Sequence, residues 1–394
     1  MQPLVDLSPT LRLLLLGAGL ALLPLGWWWL RQRGASMAQR LAALTAITLF
    51  LTFDLIVFGS FTRLTDSGLG CPDWPGCYGE ASPLGAKRDI AAAQSALPSG
   101  PVTPTKAWIE MLHRYLAMSV GALILVSAVI GWRARQHLPH SPWWATLTLF
   151  WVMVQGLFGK YTVTLKLYPA VVTLHLLGAM VLLALLVLQH ESFANRPLPR
   201  PRWRRTPAWV LALLGLVTLQ IALGGWVSTN YAVLACSGFP RCNGQWWPAM
   251  DAGHGFTLLR ELGRAGHGGY LAFEALVAIH MAHRLLALAV VLAVLAMAWR
   301  LWREPAPACR PYALALLGLL AWQLASGLSN VVLGWPIVGA LAHSAGAAAL
   351  LGVLTSLWAR ARAAPLGQPD QPGAARPVAP AMAAAPGAGQ PSTA

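Results

Sequence analysis

Apolar runs of about twenty residues, separated by short segments rich in arginine, glycine and proline, organise this chain from end to end. A helix needs about 20 apolar residues to cross the hydrocarbon of a bilayer. Nine runs qualify: 11–30, 41–60, 108–132, 143–160, 168–190, 207–227, 271–299, 311–332 and 337–358. Trp27, Trp28, Trp29, Trp132, Trp143, Trp144, Trp226, Trp299 and Trp302 sit at the ends of these runs, at the depth where indoles favour the membrane interface. The pattern predicts an all-α, polytopic membrane protein with nine spans.

Composition supports this reading. Of 394 residues, 57% are hydrophobic and 10% charged, against about 25% charged in soluble domains, which excludes an ordinary cytosolic enzyme. The net charge of +15 does not indicate nucleic acid, because the basic residues fall in short clusters between apolar runs. The partner they imply is the lipid bilayer. Alternate connections carry Arg31, Arg33 and Arg40; Arg133 and Arg135; Arg196, Arg200, Arg202, Arg204 and Arg205; Arg300, Arg303 and Arg310; and Arg360, Arg362 and Arg376. The remaining connections are poorer in basic residues and are offset by Asp66, Asp73, Glu80, Asp89, Asp251 and Glu261. The positive-inside rule makes the arginine-rich set cytoplasmic, so nine spans put the N-terminus outside and the C-terminus in the cytoplasm of a bacterial-type inner membrane. The first run is no cleaved leader, since its positive cluster follows it. The tail is Ala-, Pro- and Gly-rich and is expected to be disordered.

The chain after the first run reads twice, over about 41–190 and 207–358. His113-Arg114 matches His283-Arg284; Gln155 precedes His175 by twenty residues, as Gln323 precedes His343; Gly159 matches Gly327; Cys71 and Cys77 are six apart, as are Cys236 and Cys242. Four spans per copy give both copies the same orientation, so the expected architecture is two pseudo-symmetric four-helix bundles related by an axis along the membrane normal. Five segments follow: an additional first span and loop (1–40), an N-terminal repeat (41–190), a basic linker (191–206), a C-terminal repeat (207–358) and the tail (359–394).

Each copy supplies one histidine on its second helix and one on its fourth, His113 with His175 and His283 with His343. Ionisable residues inside spans are costly and mark function by default. Two imidazoles facing across a bundle suit six-coordinate haem iron, and small residues beside them (Gly178, Ala179, Ala342, Ala345, Gly346) leave room for a flat macrocycle. The competing reading is metal-free hydrogen bonding between helices; zinc or copper is disfavoured by the lack of further ligands at helical spacing. Glu110 lies one turn from His113 on the same helix face, where it can hold a proton or stabilise developing positive charge. It could equally be an interfacial acid paired with Lys106 or Arg114. The second copy has His280 there, which points to a division of labour between the copies.

These residues resemble the haem A synthase family over about 41–358. The resemblance rests on Gly59-Ser60-Phe61-Thr62-Arg63-Leu64-Thr65-Asp66-Ser67-Gly68-Leu69, the Cys71 to Cys77 loop with Trp74, the Glu110-x-x-His113-Arg114 segment and the four histidines. It implies an oxidoreductase that converts a methyl group of haem O to the formyl group of haem A for terminal oxidases, with water as oxygen source. His113 and His175 would flank the substrate haem O, Glu110 would be catalytic, and His283 and His343 would ligate the iron of a haem B cofactor. Haem O synthase and oxidase assembly factors are the partners the family implies, and self-association stays open. The additional first span and His280 depart from the family's eight-span pattern.

The paired cysteines are expected to close disulfides, Cys71–Cys77 and Cys236–Cys242, on the outer, oxidising side, with structural bridging set against thiol exchange. Cys309 is expected to be a free thiol. Arg114, Arg284 and Arg63 are candidates for haem propionates, or for snorkelling to head groups. Two other functions fit the same histidines: a di-haem b-type cytochrome acting only in electron transfer, and a transporter using histidines as proton relays.

Overall fold

The computed structural model describes residues 8–138, 141–198, 206–265 and 269–363. Parts of the sequence-based reading lie outside them: Arg200, Arg202, Arg204, Arg205 and Arg376, and the tail from 364. Among the described residues the secondary structure is helical, with eleven α-helices: α1 (Ser8–Arg31), α2 (Met37–Leu64), α3 (Lys87–Ala96), α4 (Pro104–Arg133), α5 (Trp143–Thr164), α6 (Pro169–Ala194), α7 (Thr206–Thr229), α8 (Ala252–Gly255), α9 (Phe273–Trp302), α10 (Arg310–Val332) and α11 (Ile337–Arg362).

Every apolar run became a helix, and most helices extend a few residues beyond their run. Ser36 caps α2 with a full capping box through Gln39, satisfying two of the backbone N–H groups orphaned at a helix start. Thr103 caps α4 and Pro104 opens it, while arginines fill the last turns of α1, α4 and α11, where the helix dipole favours them. Two polar residues inside α2 are satisfied locally: Thr48 and Thr52 hydroxyls donate to the carbonyls of Leu44 and Thr48, four residues back.

Eight of the helices are long and apolar enough to cross a membrane. Helix α5 has the length but falls short in apolarity, because Trp143, Trp144, Trp151, Gln155 and Lys160 dilute it.

Two closed rings of four helices emerge from the packing. In the first, α2 contacts α4 and α6, and α5 contacts the same two; in the second, α7 contacts α9 and α11, and α10 contacts the same two. The rings join along α11, which packs on α2 and α6, and through α6 against α7. Helix α1 lies against α4, with Leu13, Gly17 and Ala21 buried. Gly17 is essential there, since a Cβ would run into the side chain and backbone of Met118; small residues let helices approach where lipid supplies no hydrophobic drive between them.

The loop after the first helix of each ring repeats as closely as the helices. Both contain a short disulfide loop, Cys71–Cys77 and Cys236–Cys242, each with a sequence separation of 6 and with Cα separations of 4.9 and 4.6 Å. Each closes a tight turn in which Gly79 and Gly244 adopt φ of +73° and +80°, a region L-residues with a Cβ avoid. Cys71 and Cys77 pack on Ala107 and Met111 of α4, and Cys236 and Cys242 pack on Val277 and Met281 of α9. Arg63, ending α2, donates to the Ser228 carbonyl, ending α7, so both loops lie at the same end of the molecule. The free thiol expected at Cys309 is present and buried.

Candidate functional site

The four histidines sit on α4, α6, α9 and α11, two per ring. His113 and His175 are within electrostatic range of each other, as are His283 and His343. Each imidazole is packed against a glycine of the neighbouring helix. A Cβ added at Gly59 of α2 would come within 3.0 Å of His113, at Gly224 of α7 within 3.1 Å of His283, and at Gly327 of α10 within 3.0 Å of His343. At Gly159 of α5 it would reach ordinary contact with His175, at 3.8 Å. Gly178 and Gly346, expected to make room beside the ligands, are instead seats for other side chains: Gln155 presses on Gly178, and Trp322 and Gln323 on Gly346. The glycines that matter to the imidazoles are on the partner helices, a relation between helices that periodicity within one helix does not reveal.

Glu110 is buried, 4% exposed, and fully engaged. One carboxylate oxygen accepts the Cys71 backbone N–H at 2.8 Å, and the other is paired with Arg114, one turn on. The ion pair that the sequence left open is therefore formed, and Lys106 takes no part in it. Arg114 also donates to the carbonyls of Asp73 (3.0 Å), Pro75 (3.1 Å) and Gly76 (2.5 Å). Helix α4 thus holds the disulfide loop by one guanidinium, and the loop in turn holds the carboxylate.

The second ring repeats this clamp with one exchange. Arg284 donates to the carbonyls of Cys236 at 3.0 Å and Arg241 at 3.3 Å, and Arg241 occupies the place of Gly76, 165 residues earlier. Where Glu110 stands in the first ring, His280 accepts from Arg284 at 3.2 Å through Nε2. Arg63 is placed between the rings: it pairs with Asp66 at 3.2 Å, donates to Ser228 at 2.6 Å and lies 4.1 Å over the Tyr231 ring, while the Tyr231 hydroxyl donates to Asp66.

The residues that do hydrogen-bond the histidines escaped the sequence reading. The Gln220 amide of α7 lies 3.1 Å from His283 Nδ1, and Ser326 Oγ of α10 lies 3.1 Å from His343 Nδ1. Counting back by the repeat offsets of 165 and 168 places Leu55 and Phe158 at these positions in the first ring. Among the described residues no three His, Cys, Asp or Glu side chains gather as an ordinary metal-ion cage, whereas facing pairs of imidazoles do occur.

The sequence profile of the COX15-CtaA family, described as cytochrome oxidase assembly protein, matches residues 18–355. The chain belongs to the COX15-CtaA family. A relative from Shewanella oneidensis is 38% identical over 324 residues, covering 81% of this chain and 96% of its own length. One from Maricaulis maris is 30% identical over 333 residues, with 78% and 92% covered, and one from Caulobacter vibrioides is 29% identical over 343 residues, with 80% and 96% covered. All three are named Heme A synthase. The COX15-CtaA match includes both rings, both disulfide loops and most of α1.

Proposed function

We propose that this chain is a haem A synthase, with the substrate haem O in the first ring between His113 and His175 and a haem B cofactor in the second between His283 and His343. The observation that carries the assignment is the asymmetry at one repeated position: the same arginine clamp holds a buried carboxylate, Glu110, in the first ring and an imidazole, His280, in the second. The histidine pairs suit haem because each imidazole is set beside a glycine of a neighbouring helix, where the backbone takes little room.

Conversion of a methyl to a formyl group with water as oxygen donor releases four protons and removes four electrons, which must leave for an electron acceptor outside the chain. Haem B, when bound, supplies an electron-transfer site. Glu110 contributes a fixed negative charge one turn from His113, where it stabilises positive charge developing on the substrate's methyl carbon and accepts a proton from the incoming water. The Cys71 N–H and Arg114 fix its orientation, which matters because a misplaced base loses most of its effect. Arg63, Arg114 and Arg284, gathered at the loop end of the rings, are the groups that would serve haem propionates with donors left over from the loop.

The same reading gives α5 a membrane crossing. It packs between α4 and α6 as α10 packs between α9 and α11, so nine spans result, with the disulfide loops outside, the N-terminus outside and the C-terminus in the cytoplasm. Glu110→Ala tests the function. The variant should retain haem B and bind haem O but form haem A at least about 100-fold more slowly; haem A production at the wild-type rate would contradict the role given to Glu110.

A further inference from the structure

The two rings differ in what stands behind their histidines. In the second ring both imidazoles have a polar partner on the neighbouring helix. Ser326 Oγ donates its own hydrogen to the Trp322 carbonyl at 2.7 Å, so toward His343 Nδ1, 3.1 Å away, it is an acceptor. That fixes the proton on Nδ1 and leaves the Nε2 lone pair free for a metal. Gln220 also reaches His283: its amide nitrogen lies over the imidazole edge, 3.1 Å from Nδ1 and 3.3 Å from Nε2, and donates to the His283 carbonyl at 3.1 Å. Its Oε1 is buried without a partner, and a turn of the amide presents that oxygen to an Nδ1–H.

The first ring has neither partner. Leu55 and Phe158 occupy the equivalent positions, one turn and one residue before Gly59 and Gly159, as Gln220 and Ser326 precede Gly224 and Gly327. His175 Nδ1 is buried and unpartnered, and His113 is stacked on Phe58, with ring centroids 6.2 Å apart and planes 9° from parallel. Hydrogen-bond partners behind a ligating histidine fix its tautomer and raise its basicity, and removing one costs about 10- to 100-fold in metal affinity.

We infer that Gln220 and Ser326 are positioning residues that fasten the haem of the second ring, and that Leu55 and Phe158 leave the haem of the first ring exchangeable. A resident cofactor and a substrate that must depart as product need these opposite properties. The inference rests on the proposed assignment of haem B to the second ring, and the test separates the two.

Full-length protein, purified with its haems, is mixed with apomyoglobin as an acceptor and haem release is followed by absorbance. Gln220→Leu/Ser326→Ala should release haem B at least about tenfold faster than wild type, with a raised midpoint potential, because a less basic imidazole stabilises ferric iron less. Release of the first-ring haem should be unchanged in the same sample, which shows that the protein is folded. Leu55→Gln should slow release of haem O by about tenfold. Wild-type release rates and an unshifted potential in the double variant would overturn the inference. Retention of haem B by His283→Ala would instead overturn the underlying site assignment.

Discussion

The two rings of this molecule share a helix arrangement, a disulfide loop, an arginine clamp and a pair of histidines, and differ in the side chains around those shared features. The first ring has a carboxylate under the clamp and apolar groups behind its imidazoles; the second has an imidazole under the clamp and hydrogen-bond partners beside its paired histidines. Under the proposed assignment, a duplicated scaffold is turned to reaction on one side and retention on the other without altering its architecture. Function here resides in a few positions carried by a common fold, and the internal repeat supplies its own control for each of them.

The comparison can be broken most forcefully at the clamp. Arg114→Leu removes the ion partner of Glu110 and three loop-carbonyl bonds together, and haem A formation should fall about 100-fold, the cost of misplacing a catalytic group. Arg284→Leu removes the second loop's bonds and the His280 contact but leaves Glu110 and its loop in place, and its effect on haem A formation should be at least about tenfold smaller; equal losses in the two variants would remove the functional distinction between the clamps. A step below, Gly327→Val should crowd His343 and lower the haem B content of purified protein several-fold while haem O content holds, read by extraction and chromatography. Replacing Cys236 and Cys242 by Ser opens a loop with a sequence separation of 6. It should cost about 2 kcal/mol of stability, seen as a lower Tm, with Glu110 and its neighbours unaffected. Smallest of all, Gly121→Ala inside α4 places a methyl in open space and should raise stability by about 0.5 kcal/mol, seen as a slightly higher Tm.

Much of this was legible in the sequence because membrane helices are written in long apolar runs. The run at 41–60 became Met37–Leu64 and that at 337–358 became Ile337–Arg362; the extra turns mix apolar residues with Gln39, Arg40, Arg63, Arg360 and Arg362, whose polarity takes them out of a hydropathy run. Helix α3 was missed because Lys87–Ala96 carries charge and only Ile90 is buried. The repeat made the four histidines and Glu110 visible, since equal spacings in two copies survive without any knowledge of packing. What stayed hidden depends on which helix faces which: the glycines against the imidazoles, the Arg114 bonds to the disulfide loop, and Gln220 and Ser326. The last two could have been found by carrying the repeat offset through every polar residue in the spans and asking where the copies disagree.

The central claim, that the two rings hold different haems, is tested most directly by identifying the haem that survives when one ring loses its histidines. Haem extracted from His283→Ala/His343→Ala protein and analysed by chromatography and mass spectrometry should be haem O without haem B, and that from His113→Ala/His175→Ala protein should be haem B alone. Haem B in the first variant, or the same haem mixture in both, would contradict the account.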